Sequence, residues 1–121
     1  AAKAAKWVET YGGKSAPTPA AAATGAEIVM LCVGNDDDVR MVVMGEDGAL
    51  SGMAKGAVLV DHTTASAEVA REAYDAAKKQ GVGFLDAGQV ITSSPLDGVH
   101  FDAAEHGKLG RAVAAALRKM L

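Results

Sequence analysis

The sequence predicts an α/β fold: a truncated, Rossmann-like three-stranded parallel sheet with flanking helices, completed by dimerisation. Three observations lead there. Segments 27–33, 57–61 and 82–86 are apolar runs of strand length, and the runs are continuous rather than alternating. Strands of that kind are covered on both faces, as in a parallel sheet. Helical patterns separate the three runs, and strand–helix–strand–helix–strand at this spacing implies right-handed crossovers.

The elements follow in order. Residues 1–11 contain good helix formers, place Ala4, Trp7, Val8 and Tyr11 on one face, and stop at Gly12-Gly13. Thr18-Pro19 opens a short helix, with a threonine cap and proline at the first helical position, and Gly25 closes it. The first strand, 27–33, leads into Asn35-Asp36-Asp37-Asp38, an acidic helix start before Val39, Val42 and Val43. Residues 45–56 are expected to be a loop. The second strand ends at Asp61-His62-Thr63-Thr64, and a helix over 66–79 turns Val69, Ala73, Ala76 and Ala77 inward before leaving at Gln80-Gly81. After the third strand, 88–101 is a loop with a short extended piece at Val90-Ile91. The last helix starts at Asp102, with Glu105 as a capping-box partner, and lines up Leu109, Val113, Leu117 and Met120.

At 121 residues and 50% hydrophobic, the chain is one domain's worth of material. Its 12 basic and 15 acidic residues are interspersed, which leaves no basic stripe to follow a phosphate backbone, and nucleic acid is excluded as a partner. The longest apolar run falls far short of a membrane span, and Lys3, Lys6 and Glu9 interrupt what a signal peptide would need to keep apolar. The single cysteine, Cys32, lies in an apolar run and reads as a buried, inert thiol. With no disulfide framework, the chain suits a reducing cytoplasm.

Gly34-Asn35-Asp36, Gly45-Glu46-Asp47-Gly48, Val60-Asp61-His62-Thr63-Thr64-Ala65-Ser66 and Phe84-Leu85-Asp86-Ala87 together make residues 1–87 resemble the β-hydroxyacid dehydrogenases, the 3-hydroxyisobutyrate and 6-phosphogluconate dehydrogenase relatives. The resemblance implies the second half of a cofactor domain, with the glycine-rich phosphate turn lying before Ala1 and the catalytic lysine in a later helical domain. The family's Asp-Ala-Pro-Val-Ser-Gly-Gly motif breaks off at Asp86-Ala87, where Gly88-Gln89 follows. With no glycine turn to feed backbone donors to a pyrophosphate, NAD(P) is not expected as a cofactor, beyond residual affinity through Asn35 or Thr64.

Residues 84–121 resemble the C-terminal end of the SGNH (GDSL-type) esterases, through Asp97-Gly98-Val99-His100-Phe101-Asp102 and the helix behind it. That resemblance implies His100 as general base and Asp97 as its orienting partner. The family's Gly-Asp-Ser nucleophile block has no counterpart here, and Ser93 and Ser94 are not taken as a substitute. Phe84-Leu85-Asp86-Ala87 therefore reads as the seam of a chimera.

Polar residues at the carboxyl ends of parallel strands share one edge, where ligands bind. Imidazole with carboxylate suits Zn²⁺ or Mn²⁺. Hence the leading expectation is a metal-assisted hydrolase of an ester or phosphoester, with His62, His100, Asp61 and Asp86 holding the ion and the ion activating water. Alternatives are a metal-free esterase remnant using His100 and Asp97, a folded chimera without catalysis, and a residual NAD(P) binder without dehydrogenase activity. On the bland reading, Asp36 to Asp38 and Asp102 begin helices, while His62 and His106 are surface residues. An open edge on strand 27–33 predicts a homodimer joined through that strand into a six-stranded sheet.

Overall fold

The computed structural model describes residues 2–85, 87–98 and 100–120. Two parallel strands, β1 (Ile28–Leu31) and β2 (Val58–Asp61), form the sheet, with Ile28 paired to Val58 and Leu31 to Asp61. The α/β class is as expected; the third strand is not. Among the described residues only Gly83 bridges to β2, giving its N–H to the Ala57 carbonyl at 2.8 Å and accepting from Leu59 N–H at 3.1 Å. Over the described residues 82–85 of the expected strand 82–86 there is thus a single bridge, and a 3₁₀ segment lies at Ala87–Gln89.

Helix α1 (Ala2–Tyr11) ends at Gly12 and Gly13, both at positive φ, as their glycine identity allows. None of its residues is buried, and Trp7 and Tyr11 meet at a tilt in the open, ring centroids 5.6 Å apart. Helix α2 (Pro19–Ala23) has its expected cap, the Thr18 hydroxyl accepting from Ala21 N–H at 3.1 Å. After β1, the Asn35 side chain caps α3 (Asp36–Val39), which widens into a π-helical turn, Arg40–Met44. The stretch expected to be loop contains a helical turn, α4 (Ala49–Gly52), packed across α2. Helix α5 (Ala67–Gln80) is capped by Ser66 and closed by left-handed Gly81, and Val69, Ala73 and Ala77 are its buried stripe. Asp102 caps α6 (Ala103–Met120), its carboxylate accepting from the N–H groups of Ala104 and Glu105. Glu105 completes no capping box; its carboxylate takes the Thr92 N–H at 3.0 Å and pairs with Lys108.

The core lies on one face of the sheet. Leu59, Val39, Val43 and Val69 are its largest fully buried side chains, and Val29, Leu31 and Val33 pack against it. Each such side chain contributes about 1.5–3 kcal/mol by leaving water. Register puts Ile28 and Met30 on the opposite face with Val58 and Val60, because successive side chains alternate. On that face Leu109, Val113 and Leu117 of α6 line an apolar cleft over Val58 and Val60. Coverage stops short of β1, where Met30 is 61% exposed. Strand β1 is therefore not covered on both faces, and Cys32 beyond its end is exposed rather than buried.

Between α3 and α5 the Arg40 guanidinium forks onto Glu72, with Nε to Oε2 at 2.9 Å and Nη2 to Oε1 at 3.0 Å, and reaches Asp37 at 3.2 Å. This pairing holds the Glu72 carboxyl below its ordinary range. A carboxyl whose folded pKa is depressed stabilises above its unfolded pKa, and that contribution disappears as pH falls through the folded value. The Glu72, Asp36 and Glu105 carboxyls are all shifted this way. Thermal unfolding followed from neutral pH downwards should therefore show the midpoint falling below about pH 4, with a shallower fall in Glu72→Gln. A midpoint that rises on acidification would contradict these assignments.

Candidate functional site at the carboxyl edge of the sheet

Strands β1 and β2 run parallel, so the loops that follow them leave from one edge. Backbone and side chain then tie the loops together. His62 N–H donates to the Leu31 carbonyl at 2.9 Å, and Val33 N–H donates to the Thr63 hydroxyl at 3.1 Å. The Asp61 carboxylate accepts from Thr63 N–H at 2.8 Å, a two-residue turn of the kind aspartate forms readily. Asp36 bridges the starts of α3 and α5 by accepting from Ser66 N–H at 2.9 Å and from the Ser66 hydroxyl at 2.5 Å. Those two bonds, the side-chain one first, hold the Asp36 carboxyl low, so it stays ionised at neutral pH.

Gly34 is confined by this arrangement. A Cβ there would lie 2.9 Å from Asp38 Oδ2, the oxygen that accepts the Gly34 N–H at 3.2 Å. At the start of α3 the Asp38 N–H is met by the Asn35 side chain and the Gly34 N–H by Asp38, and three carboxylates crowd the first turn. Phosphate would find repulsion at this helix start, although helix starts elsewhere bind anions.

The expected metal site does not assemble. Among the described residues no three His, Cys, Asp or Glu side chains gather as a metal would require. Asp61 is turned onto the Thr63 backbone, exposed His62 follows it, and Asp86 lies outside the described residues. His100 and Asp97 do meet, Nδ1 to Oδ2 at 2.8 Å, and Asp97 also accepts the His100 N–H at 2.9 Å. Their partnership is local: both stand in the exposed turn before α6, with the His100 side chain 81% exposed. Buried Ser94 shapes that turn, its N–H donating to the His100 carbonyl and its hydroxyl accepting from Leu96 N–H. His106 is exposed and rests edge-on against Phe101. With no ligand cluster among the described residues, excess Zn²⁺ or Mn²⁺ should leave the thermal midpoint unchanged, and a saturable rise would contradict this.

Sequence reasoning missed the Asp36–Ser66 and Arg40–Glu72 contacts. Both span about thirty residues, and the only signal for them was the parallel crossover, which brings α3 and the π-helical turn after it alongside the N-terminal half of α5.

Parallel strands whose outgoing loops share one carboxyl edge, with helices packed behind them, define an α/β protein of the nucleotide-binding kind. Residues 1–90 match the family model of the NAD binding domain of 6-phosphogluconate dehydrogenase, and the chain belongs to that family. An uncharacterized oxidoreductase of Shewanella frigidimarina is 60% identical over 86 residues, which are 71% of this chain and 30% of that protein. A probable 3-hydroxyisobutyrate dehydrogenase-like protein of Arabidopsis thaliana is 38% identical over 82 residues, 68% of this chain and 27% of that protein. The 3-hydroxyisobutyrate dehydrogenase of Pseudomonas aeruginosa is 31% identical over 85 residues, 70% of this chain and 28% of that protein. The chain thus spans less than a third of the length of these curated relatives.

Two expectations are corrected by these matches. The metal-dependent hydrolase reading gives way to an oxidoreductase family, and divalent metal gives way to NAD(P) as the implied cofactor. The dehydrogenase resemblance of residues 1–87 holds, whereas that of residues 84–121 to the SGNH esterases has no counterpart in the matches. Among the described residues no helix is long and apolar enough to cross a membrane.

Proposed function

We propose that this chain forms part of the NAD(P)-binding domain of a hydroxyacid dehydrogenase-type oxidoreductase and, by itself, binds nucleotide without turning over a hydroxyacid. The observation that carries the reading is the family match over residues 1–90, which takes in both strand–loop units of the carboxyl edge. The residues of that edge fit one part of the cofactor better than another. Ionised Asp36 and its neighbours Asp37 and Asp38 disfavour the pyrophosphate. Exposed Thr64 and the carboxylates suit hydroxyl and carboxamide groups, which the nicotinamide riboside end supplies. When bound, the cofactor would supply hydride chemistry. This chain's part is to orient the sugar and exclude phosphate from the start of α3.

Titration of the isotopically labelled chain with NAD⁺ tests the proposal. Saturable amide shifts confined to residues 34–38 and 61–66 are expected at roughly millimolar concentration, with competition by nicotinamide riboside and little by ADP. Shifts that never saturate, or that map to residues 97–106, would overturn it.

A further inference from the structure

The loops that follow β1 and β2 stay joined past the ends of the strands. After the bond from His62 N–H to the Leu31 carbonyl comes the bond from Val33 N–H to the Thr63 hydroxyl, and after that Asp36 takes both the N–H and the hydroxyl of Ser66. Thr64 and Ala65 lie between the last two ties. Both are exposed, and the Thr64 side chain bonds to no other described residue. This short span is thus held at each side, by Asp61 and Val33 at Thr63 and by Asp36 at Ser66. Ser66 also caps α5, its hydroxyl accepting from Val69 N–H at 3.2 Å while donating to Asp36. Asp36 is in turn the first residue of α3, behind the Asn35 cap. One carboxylate therefore ties together the starts of the two helices that leave the carboxyl edge, through bonds of the stronger, charge-assisted kind.

We infer that Asp36 and Ser66 are positioning residues for the nucleotide: their pairing holds 63–65 in the shape in which Thr64 meets the sugar, so the ligand does not have to order the loop when it binds. The inference rests on the nucleotide reading above and adds to it the pair that sets the loop. Freeing even one residue of backbone restores conformational freedom that the ligand must then remove. Affinity for nicotinamide riboside should accordingly fall at least about fivefold when the pair is broken. The Arg40–Glu72 fork supplies the contrast. It joins the same two parts of the chain farther from the loop, so it holds helix to helix without touching 63–66.

Two variants break the pair in different ways. Ser66→Ala removes the hydroxyl bond and the α5 cap but keeps the Asp36 charge, whereas Asp36→Ala removes the charge but keeps the cap. What they share is the weakened tie. Titration of the labelled intact chain with nicotinamide riboside should show both variants weakened, while Glu72→Gln binds as the unmodified chain does. Without ligand, NMR relaxation should report lower backbone order parameters at Thr64 and Ala65 in the first two variants and not in the third. Reversing the pair, Asp36→Ser together with Ser66→Asp, keeps a hydroxyl facing a carboxylate and a capping side chain on α5, and should recover most of the lost affinity. If the unmodified chain titrates and Ser66→Ala and Asp36→Ala titrate equally well, the positioning role is overturned and the nucleotide reading stands. An equal loss in Glu72→Gln would overturn it too, by reducing the pair to a tie between helices. An unmodified chain with no saturable shifts would overturn the nucleotide reading and this inference with it.

Discussion

Gly52→Ala should be among the most destabilising single substitutions in this chain. Helix α4 crosses α2 with Gly52 against Ala20, and a Cβ there would lie 2.0 Å from the Ala20 carbonyl oxygen and 2.7 Å from its carbon. Both atoms are backbone, so no side-chain rotation relieves the overlap and the helices must separate. Separation strips Ala23, Ala49 and Leu50 of their cover and strains the bond from Ala20 N–H to the Asp47 carbonyl at 2.9 Å. Overpacking of this severity costs about 3 kcal/mol or more, a large share of a typical domain's stability, and should lower the thermal midpoint by roughly 10 °C. Circular dichroism against temperature and urea is the measurement, with neighbouring Ser51→Ala as the mild control. A change within about 0.5 kcal/mol would show that α2 and α4 do not touch as described.

Leu59→Ala is the second large effect, through the opposite defect. Leu59 is 2% exposed at the middle of β2, and the buried cluster around it includes Val39, Val43 and Val69. Removing its branched end from a cluster built mainly of valine and alanine leaves a void that few long side chains can refill. Such truncations cost about 2–5 kcal/mol, and the upper half of that range is expected here. Leu96→Ala, at an exposed turn, should cost almost nothing. Urea midpoints for the two variants, at unchanged slope, would separate these outcomes.

How much of this was legible in the sequence depends on the range of the forces involved. Short-range chemistry read well: Thr18 before Pro19, Ser66 three residues before Val69, left-handed Gly81 and the Asp102 cap all declare helix ends within a few positions. The strands were visible from their apolar runs, but a run says nothing about how many neighbours it finds. Thus 82–86 reads as a strand, although among its described residues only Gly83 is bridged, and a 3₁₀ turn stands at Ala87–Gln89. Helix α4 was invisible because Ala49–Gly52 is short and ends in glycine; packing on α2 holds it where propensity would not.

The candidate site was legible in position and misread in chemistry. Strand ends placed Asp61 and His62 at the carboxyl edge correctly, but a strand end does not reveal where a carboxylate turns, and Asp61 turns onto Thr63 N–H. Asp97 and His100, which only the esterase resemblance had joined, meet because three residues in one turn keep them close, a contact that says nothing of their role. The inference from three histidines to a metal required distant loops to converge, which nothing in the spacing supported. The motifs around Gly34, Gly45, Thr63-Thr64 and Phe84 carried the better information, and they pointed to the family that residues 1–90 match.

The β1–β2 ladder also bears on the order of events in folding. Every rung joins residues thirty positions apart, from Ile28 with Val58 to Leu31 with Asp61. Closing a loop of that length costs entropy before any rung can repay it, whereas α5 forms from neighbours along the chain. Substitutions that stiffen or loosen α3, the π-helical turn and α4 should therefore act on the refolding rate, and those in α1 should leave it untouched.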